Sequence, residues 1–291
     1  MFANTGEQLI QACKEENCTI WEYTLNAEIE NSNSSREEVF EKMRDSLKVM
    51  QNSATQALEN DIKSVSGLIG GDALKLRKYS EDSSTLTGDF MVKAMARALS
   101  CSEVNAAMGK IVACPTAGSC GILPAAIISA GEKLHKSEDD LVKALFTASG
   151  VGMIIAKNAT VAGAEGGCQA ECGSAAAMSS AAIVELMGGS PEQALNAAAI
   201  VIKNILGLVC DPVAGLVEVP CAKRNVAGTV SALTTADLVM SGVVSKIPFD
   251  ETVWAMYKVG KQLPPELRET ALGGVAVTPT GLKLKKQVFN E

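Results

Sequence analysis

The chain has 291 residues, enough for one large domain or two ordinary ones, with 47% hydrophobic and 20% charged residues, the balance of a globular protein that buries a substantial core. A formal charge of −7 and the lack of a Lys/Arg stripe interleaved with aromatics argue against a nucleic-acid partner, and the most apolar stretch, Ala197 to Val209, is interrupted by Lys203 and Asn204 and is too short for a membrane span. The N-terminus lacks the basic and apolar regions of a secretory signal, so the expected location is the cytoplasm, where nine cysteines, an odd number, stay reduced.

In chain order, residues 1–34 are polar and weakly patterned, ending in the run NSNSS, and read as an N-terminal extension to a domain over 35–291. Ser35 with Glu38 three positions later forms a capping-box pattern, and Val39, Phe40, Met43, Leu47 and Met50 follow at helical spacing. Ser137 precedes the acidic first turn of another helix, Glu138 to Asp140. An Ala-rich helix is expected over Ser174 to Met187, stopped by Gly188 and Gly189. Ser190, Pro191 and Gln193 then start a further helix reaching Val209. Alternating β-branched runs are scarce and no fixed-period repeat appears, so the expected fold is mainly α: a single compact helical domain whose Gly/Pro loops carry its functional residues.

The single histidine, His135, leaves zinc spacings that mix Cys and His almost no material, so any metal chemistry here is mainly thiolate chemistry. Cys13, Cys18 and Cys101 lie in polar surroundings and read as structural. Cys168 follows Gly166-Gly167, Cys210 precedes Asp211-Pro212 at the expected end of the long helix, and Cys221 follows Pro220. All three sit at turns, where free backbone N–H groups and close approach suit an iron-sulfur cluster, and CDPVAGLVEVPC reads as a two-ligand loop. Cys172, four residues after Cys168, competes for the third position or is a buried small hydrophobe. Cys114 and Cys120, bracketing CPTAGSC, stay open in the same way.

Three strings, CPTAGSCGILPA at 114–125, AGAEGGCQAECGSAAAMSSAA at 162–182 and CDPVAGLVEVPCAKRN at 210–225, resemble the alpha chain of the bacterial iron-sulfur L-serine dehydratases, and the similarity extends from about residue 35 onward. The resemblance implies a 4Fe-4S cluster on Cys168, Cys210 and Cys221 and a lyase turning L-serine into pyruvate and ammonia. Single-chain members can cap the remaining iron with a C-terminal cysteine. The ending KKQVFNE implies an open iron instead, free to act as a Lewis acid on the serine hydroxyl. Thr116, Gly118 and Ser119 are expected to grip the substrate carboxylate, and Asn158, with Glu165, to orient substrate or cluster.

The elimination also needs a base to take the α-proton. His135, in EKLHKSEDD, reads as a solvated loop residue, and Lys223 and Arg224 read equally as cluster-balancing or surface charges. The first 34 residues are too short to replace the smaller domain of single-chain relatives, so a serine dehydratase beta chain is the expected partner and source of the base. Three rival readings remain: a related iron-sulfur lyase acting on L-cysteine, a pyridoxal-phosphate lyase using Lys157 and the AGSCG turn, and a non-catalytic cluster protein. The last lacks the compact four-cysteine run of ferredoxins.

Overall fold

Side chains that satisfy the free N–H groups of a first turn fix where helices begin, and this chain uses two kinds, local and remote. In the computed structural model, which describes residues 2–82 and 84–290, thirteen α-helices follow one another without a named strand among the described residues. They are α1 (Gly6–Glu15), α2 (Ile20–Ser32), α3 (Arg36–Glu59), α4 (Asp72–Asp82), α5 (Gly88–Ala106), α6 (Ile122–Lys133), α7 (Glu138–Asn158), α8 (Gly163–Gly166), α9 (Ser174–Leu186), α10 (Pro191–Ile205), α11 (Cys221–Met240), α12 (Phe249–Gln262) and α13 (Pro279–Phe289). The mainly helical expectation holds, and no helix among the described residues is long and apolar enough to cross a membrane.

The local caps fall where the sequence places them. Ser35 and Glu38 bond reciprocally at the start of α3, Ser137 and Asp140 at α7, and Ser190 and Gln193 at α10. The remote caps are invisible to any local pattern. Asp250 of α12 accepts from Gly6 and Glu7 N–H at 2.7 and 3.0 Å, and the Glu103 carboxylate of α5 accepts from Asp72 and Ala73 N–H at 2.6 and 3.1 Å. Glu185 of α9 accepts from Ile20 and Trp21 N–H at 2.8 and 3.1 Å.

The caps from Asp250 and Glu185 dock residues that read as an extension. Leu9, Ile20 and Leu25 are fully buried, each contributing about 1.5–3 kcal/mol on burial, and together with Cys13 they belong to the main core cluster. Residues 6–32 thus complete the core that 35–291 were expected to form by themselves. Their pattern is weak because half the information, the capping carboxylates, lies on α9 and α12.

At the centre is α9, with the sequence SAAAMSSAAIVEL, buried from Ser174 to Val184 and packed by α6, α7, α10 and α11. Alanine and serine let four neighbours approach one axis closely, and the buried hydroxyls of Ser179 and Ser180 donate back to the Ala175 and Ala177 carbonyls. The next helix is shorter than expected: α10 stops at Ile205, not Val209. Gly207 adopts φ +84, a left-handed conformation that glycine takes without strain, and the chain leaves the helix there.

Glu185 is the most consequential of the remote caps, since it also accepts from Thr147 Oγ1 at 2.6 Å. Burial pushes its carboxyl above the usual range, with the three donors opposing. Glu185→Ala leaves the α2 donors without acceptors and is expected to cost about 1–3 kcal/mol. Glu185→Gln, which keeps one acceptor, should cost less. Urea midpoints of the two variants check both the magnitude and the order.

Candidate metal and substrate site

The site is assembled where three chain segments are tied together ahead of α9. Gly166-Gly167-Cys168 turns out of α8 into a five-residue π-helical turn, Gln169–Gly173, which continues directly into α9. Wider i→i+5 winding is a feature of functional sites, and here it brings residues four apart nearly into line: Cys168 and Cys172 Sγ are 3.5 Å apart. Gln169, buried, donates from Nε2 to the Gly166 and Met256 carbonyls at 3.0 and 2.9 Å, and its Oε1 accepts from Gly207 N–H at 2.9 Å. Its own N–H donates to the Leu208 carbonyl at 3.0 Å.

That clasp carries Cys210, two residues beyond Leu208, up to Cys168. Cys210 is on an extended segment rather than a helix end. It forms an isolated parallel bridge with Arg268, its N–H donating to the Leu267 carbonyl and its carbonyl accepting from Glu269 N–H, both at 2.8 Å. Cys168, Glu171 and Cys210, all buried, place one ligand atom each within 4.8 Å of one another. Cys221 is also buried, as the first residue of α11. It stands outside that tight group yet within the electrostatic reach of Cys168, and burial pushes its thiol up to about 12.

The sulfurs are polarised against one another. Hydrogen bonds from Cys172 and Cys210, with the Arg224 guanidinium, hold the Cys168 thiol well below its usual range, and the same bonds push Cys172 and Cys210 up. Arg224 is itself fixed by an ion pair to buried Asp211 at 2.8 Å and by donation to the Val209 carbonyl at 2.8 Å. Of the two charges that followed Cys221 in the sequence, Arg224 is therefore turned inward to the thiols. Lys223 is turned outward and pairs with Asp72 at 2.6 Å.

Glu171 joins this group to the loop at 116–119. Thr116 Oγ1 donates to Glu171 Oε1 at 2.7 Å, and Glu171 Oε2 lies 3.9 Å from Cys210 Sγ. Burial pushes the Glu171 carboxyl up to about 7, against the pull of the Thr116 hydrogen bond and with the Cys168 charge adding to the rise. Room for the carboxylate comes from two missing side chains. A Cβ on Gly118 would stand 3.0 Å from Glu171 Oε1, and one on Gly163 would stand 2.6 Å from Oε2 and 3.1 Å from Cys210 Sγ. Buried Asn225 closes the arrangement, accepting from Gly121 N–H at 2.8 Å and donating to the Gly118 and Cys221 carbonyls at 2.8 and 2.9 Å.

Of the residues selected from sequence, Cys168, Cys210, Thr116 and Gly118 meet in one place, with Cys221 adjacent. Ser119 is buried beneath them, its hydroxyl within 3.4 Å of the Cys114 and Thr116 carbonyls. Asn158 is exposed and donates to the Asn4 and Ile154 carbonyls, partners outside the thiol group. Lys157 is likewise exposed and bonded to Asn4, and Glu165 is exposed on α8. His135 is exposed in the turn after α6, a helix whose twelve residues separate it from the 116–121 loop by about 18 Å. Cys114 and Cys120 turn their thiols to the carbonyls of Cys120 and Cys101, and Cys13 and Cys101 are buried in the core as small hydrophobes.

Two members were not singled out from sequence, Glu171 and Asn225. Glu171 had a signal: it lies three residues after Cys168, on the same helical face. Asn225 had none, because its role depends on a loop 104 residues away.

Buried thiols beside an inward carboxylate form a donor set suited to iron or an iron-sulfur cluster, and the space at Gly163 is a cradle that any Cβ would fill. Residues 15–276 match the serine dehydratase alpha chain family. The chain is similar, at 47% identity over 99% of its length and 96% of the relative's, to the probable L-serine dehydratase alpha chain of Bacillus subtilis (strain 168). It is 48% identical to the L-serine dehydratase alpha chain of Peptoniphilus asaccharolyticus, covering 99% of each. It is also 34% identical over 94% of its length to the L-serine dehydratase of Streptomyces coelicolor, of which the match spans 60%.

Gly163→Ala is expected to displace Glu171 and Cys210 and to lower severalfold the iron retained after reconstitution, with far-UV circular dichroism unchanged. Iron assay after desalting is the check, and retention equal to the parent would show that the cradle is not needed.

Proposed function

The chain belongs to the serine dehydratase alpha chain family, and from that premise we propose that it is the alpha subunit of an L-serine dehydratase, a lyase that converts L-serine into pyruvate and ammonia. Cys168, Cys210 and Cys221 would hold a 4Fe-4S cluster. The observation that carries the reading is the convergence of Cys168, Cys210 and Glu171, buried, beneath the Thr116–Gly118 loop. When bound, such a cluster supplies a Lewis-acidic iron to assist departure of the substrate hydroxyl.

The protein's own residues have separate tasks. The 116–119 segment begins a 3-10 turn at Ala117, and the first N–H groups of such a turn, at Ala117 and Gly118, are those left without internal acceptors. On this partly exposed loop they suit the substrate carboxylate. Glu171 holds Thr116, and with it this loop, at a fixed height above the cysteines. Ser119 braces the turn from below, and Asn225 locks it to the first turn of α11. Asn158 acts at one remove, pinning the end of α7 from which the chain turns to Gly163.

Proton removal from the α-carbon needs a base in reach of the substrate. The only histidine is exposed about 18 Å away, at the far end of α6. The beta chain of a heteromeric enzyme is the proposed source of the base, with the active site at the junction of the two.

Cys168→Ala, Cys210→Ala and Cys221→Ala are each expected to abolish retention of iron and sulfide and all activity, whereas Cys13→Ala and Cys101→Ala leave both intact. Iron and sulfide analysis of anaerobically reconstituted variants decides it, and full occupancy in Cys168→Ala with loss in Cys172→Ala would reassign the third ligand. The cluster-loaded alpha chain alone is expected to turn over L-serine at a small fraction of the rate reached when its beta chain is added. A pyruvate assay with and without beta is the test, and full activity without it would place the base on this chain, with Glu171 the first residue to replace.

A further inference from the structure

The helix α13 is poorly covered by the rest of the protein: Gly281 is its one buried residue. Leu282, Lys285, Lys286 and Phe289 fall at i, i+3, i+4 and i+7, so they share one face, on which Leu282 and Phe289 are 45% and 51% exposed. Val275 and Val277, just ahead of the helix, are 40% and 43% exposed and extend the apolar surface. Between Thr270 and Asn290 there are three lysines and no acid, in a chain whose overall charge is −7. The segment is therefore an apolar and basic face on an otherwise acidic protein.

This face adjoins the cysteines. α13 packs on the turn Val213–Gly215, inside the loop between Cys210 and Cys221. Val275 N–H donates to Asp211 at 2.7 Å, and Asp211 pairs with the same Arg224 that polarises Cys168.

We propose that the exposed face of α13 is the docking surface for the beta chain, which would meet it with an apolar groove edged by carboxylates; the proposal rests on the heteromeric reading above. Charge selects this occupant. A two-fold contact between copies would set the lysines of one α13 against those of the other, a like-charge arrangement. A membrane surface would attract the helix but repel the acidic body that carries it. An acidic, apolar groove on a second protein suits both features, and docking there places the partner beside the site that needs its base.

The test measures binding of the cluster-loaded alpha chain to immobilised beta chain, for the parent, Leu282→Asp and the double variant Lys285→Glu/Lys286→Glu. Each variant is expected to bind at least about tenfold more weakly, the scale of one lost anchor or charge pair, and parent binding should weaken with added salt. Iron content and far-UV circular dichroism should match the parent. Both variants binding within about twofold of the parent would overturn the assignment of this surface, a difference smaller than any single anchor. So would parent binding to anionic phospholipid vesicles, or parent self-association, that the double variant abolishes while beta binding survives. A parent that ignores beta and turns over L-serine fully by itself would overturn the heteromeric reading instead.

Discussion

The buried amide of Gln169 is the constraint on which the site depends. Its two ends reach the Gly166 and Met256 carbonyls and the Gly207 N–H, joining the approach to α9, the exit from α10 and the last turns of α12. Each such bond contributes only about 0.5–1.5 kcal/mol net, but a buried donor or acceptor left without a partner costs about 1–3 kcal/mol. All three segments must therefore arrive together or not at all. The consequence is geometric as much as energetic: with Gly207 held by Gln169, α10 cannot continue, and the chain runs extended to deliver the Cys210 thiol to Cys168.

A second constraint is electrostatic. Cysteine thiols, Glu171 and Asp211 crowd a buried region with acidic groups, and arrangements of this kind persist only if charge is compensated locally. Arg224 provides that compensation, bound to Asp211 on one side and facing Cys168 on the other. Because α11 begins at Cys221, one helical turn carries a thiol, the arginine and Asn225 to the same centre. The close approach of Gly118 and Gly163 to Glu171 then explains why loops without side chains flank the carboxylate.

The core gives these constraints something rigid to act on. Because α9 is built from alanine and serine, the helices around it sit close, and the π-helical turn at its head inherits that rigidity. A site carried on the end of a buried central helix keeps its geometry better than one on a free loop, which fits a function in which substrate and cofactor groups must meet at fixed positions.

Sequence by itself determined the helical class and the helices announced by Ser35, Ser137 and Ser190, because caps and periodicity are local in the chain. It did not disclose that residues 6–32 belong to the core, since Asp250 and Glu185, which cap α1 and α2, are more than 160 residues distant. Nor did it disclose the end of α10, where an apolar pattern continues to Val209 but the Gly207 N–H is claimed by Gln169. Asn158 and Thr116 looked alike as polar residues near matched motifs, and only the folded chain sends one to Asn4 and the other to Glu171. Glu171 and Asn225 acquire their roles from partners 55 and 104 residues away. A hydrogen bond across such a separation leaves no period in the sequence, so the tertiary structure alone decides it.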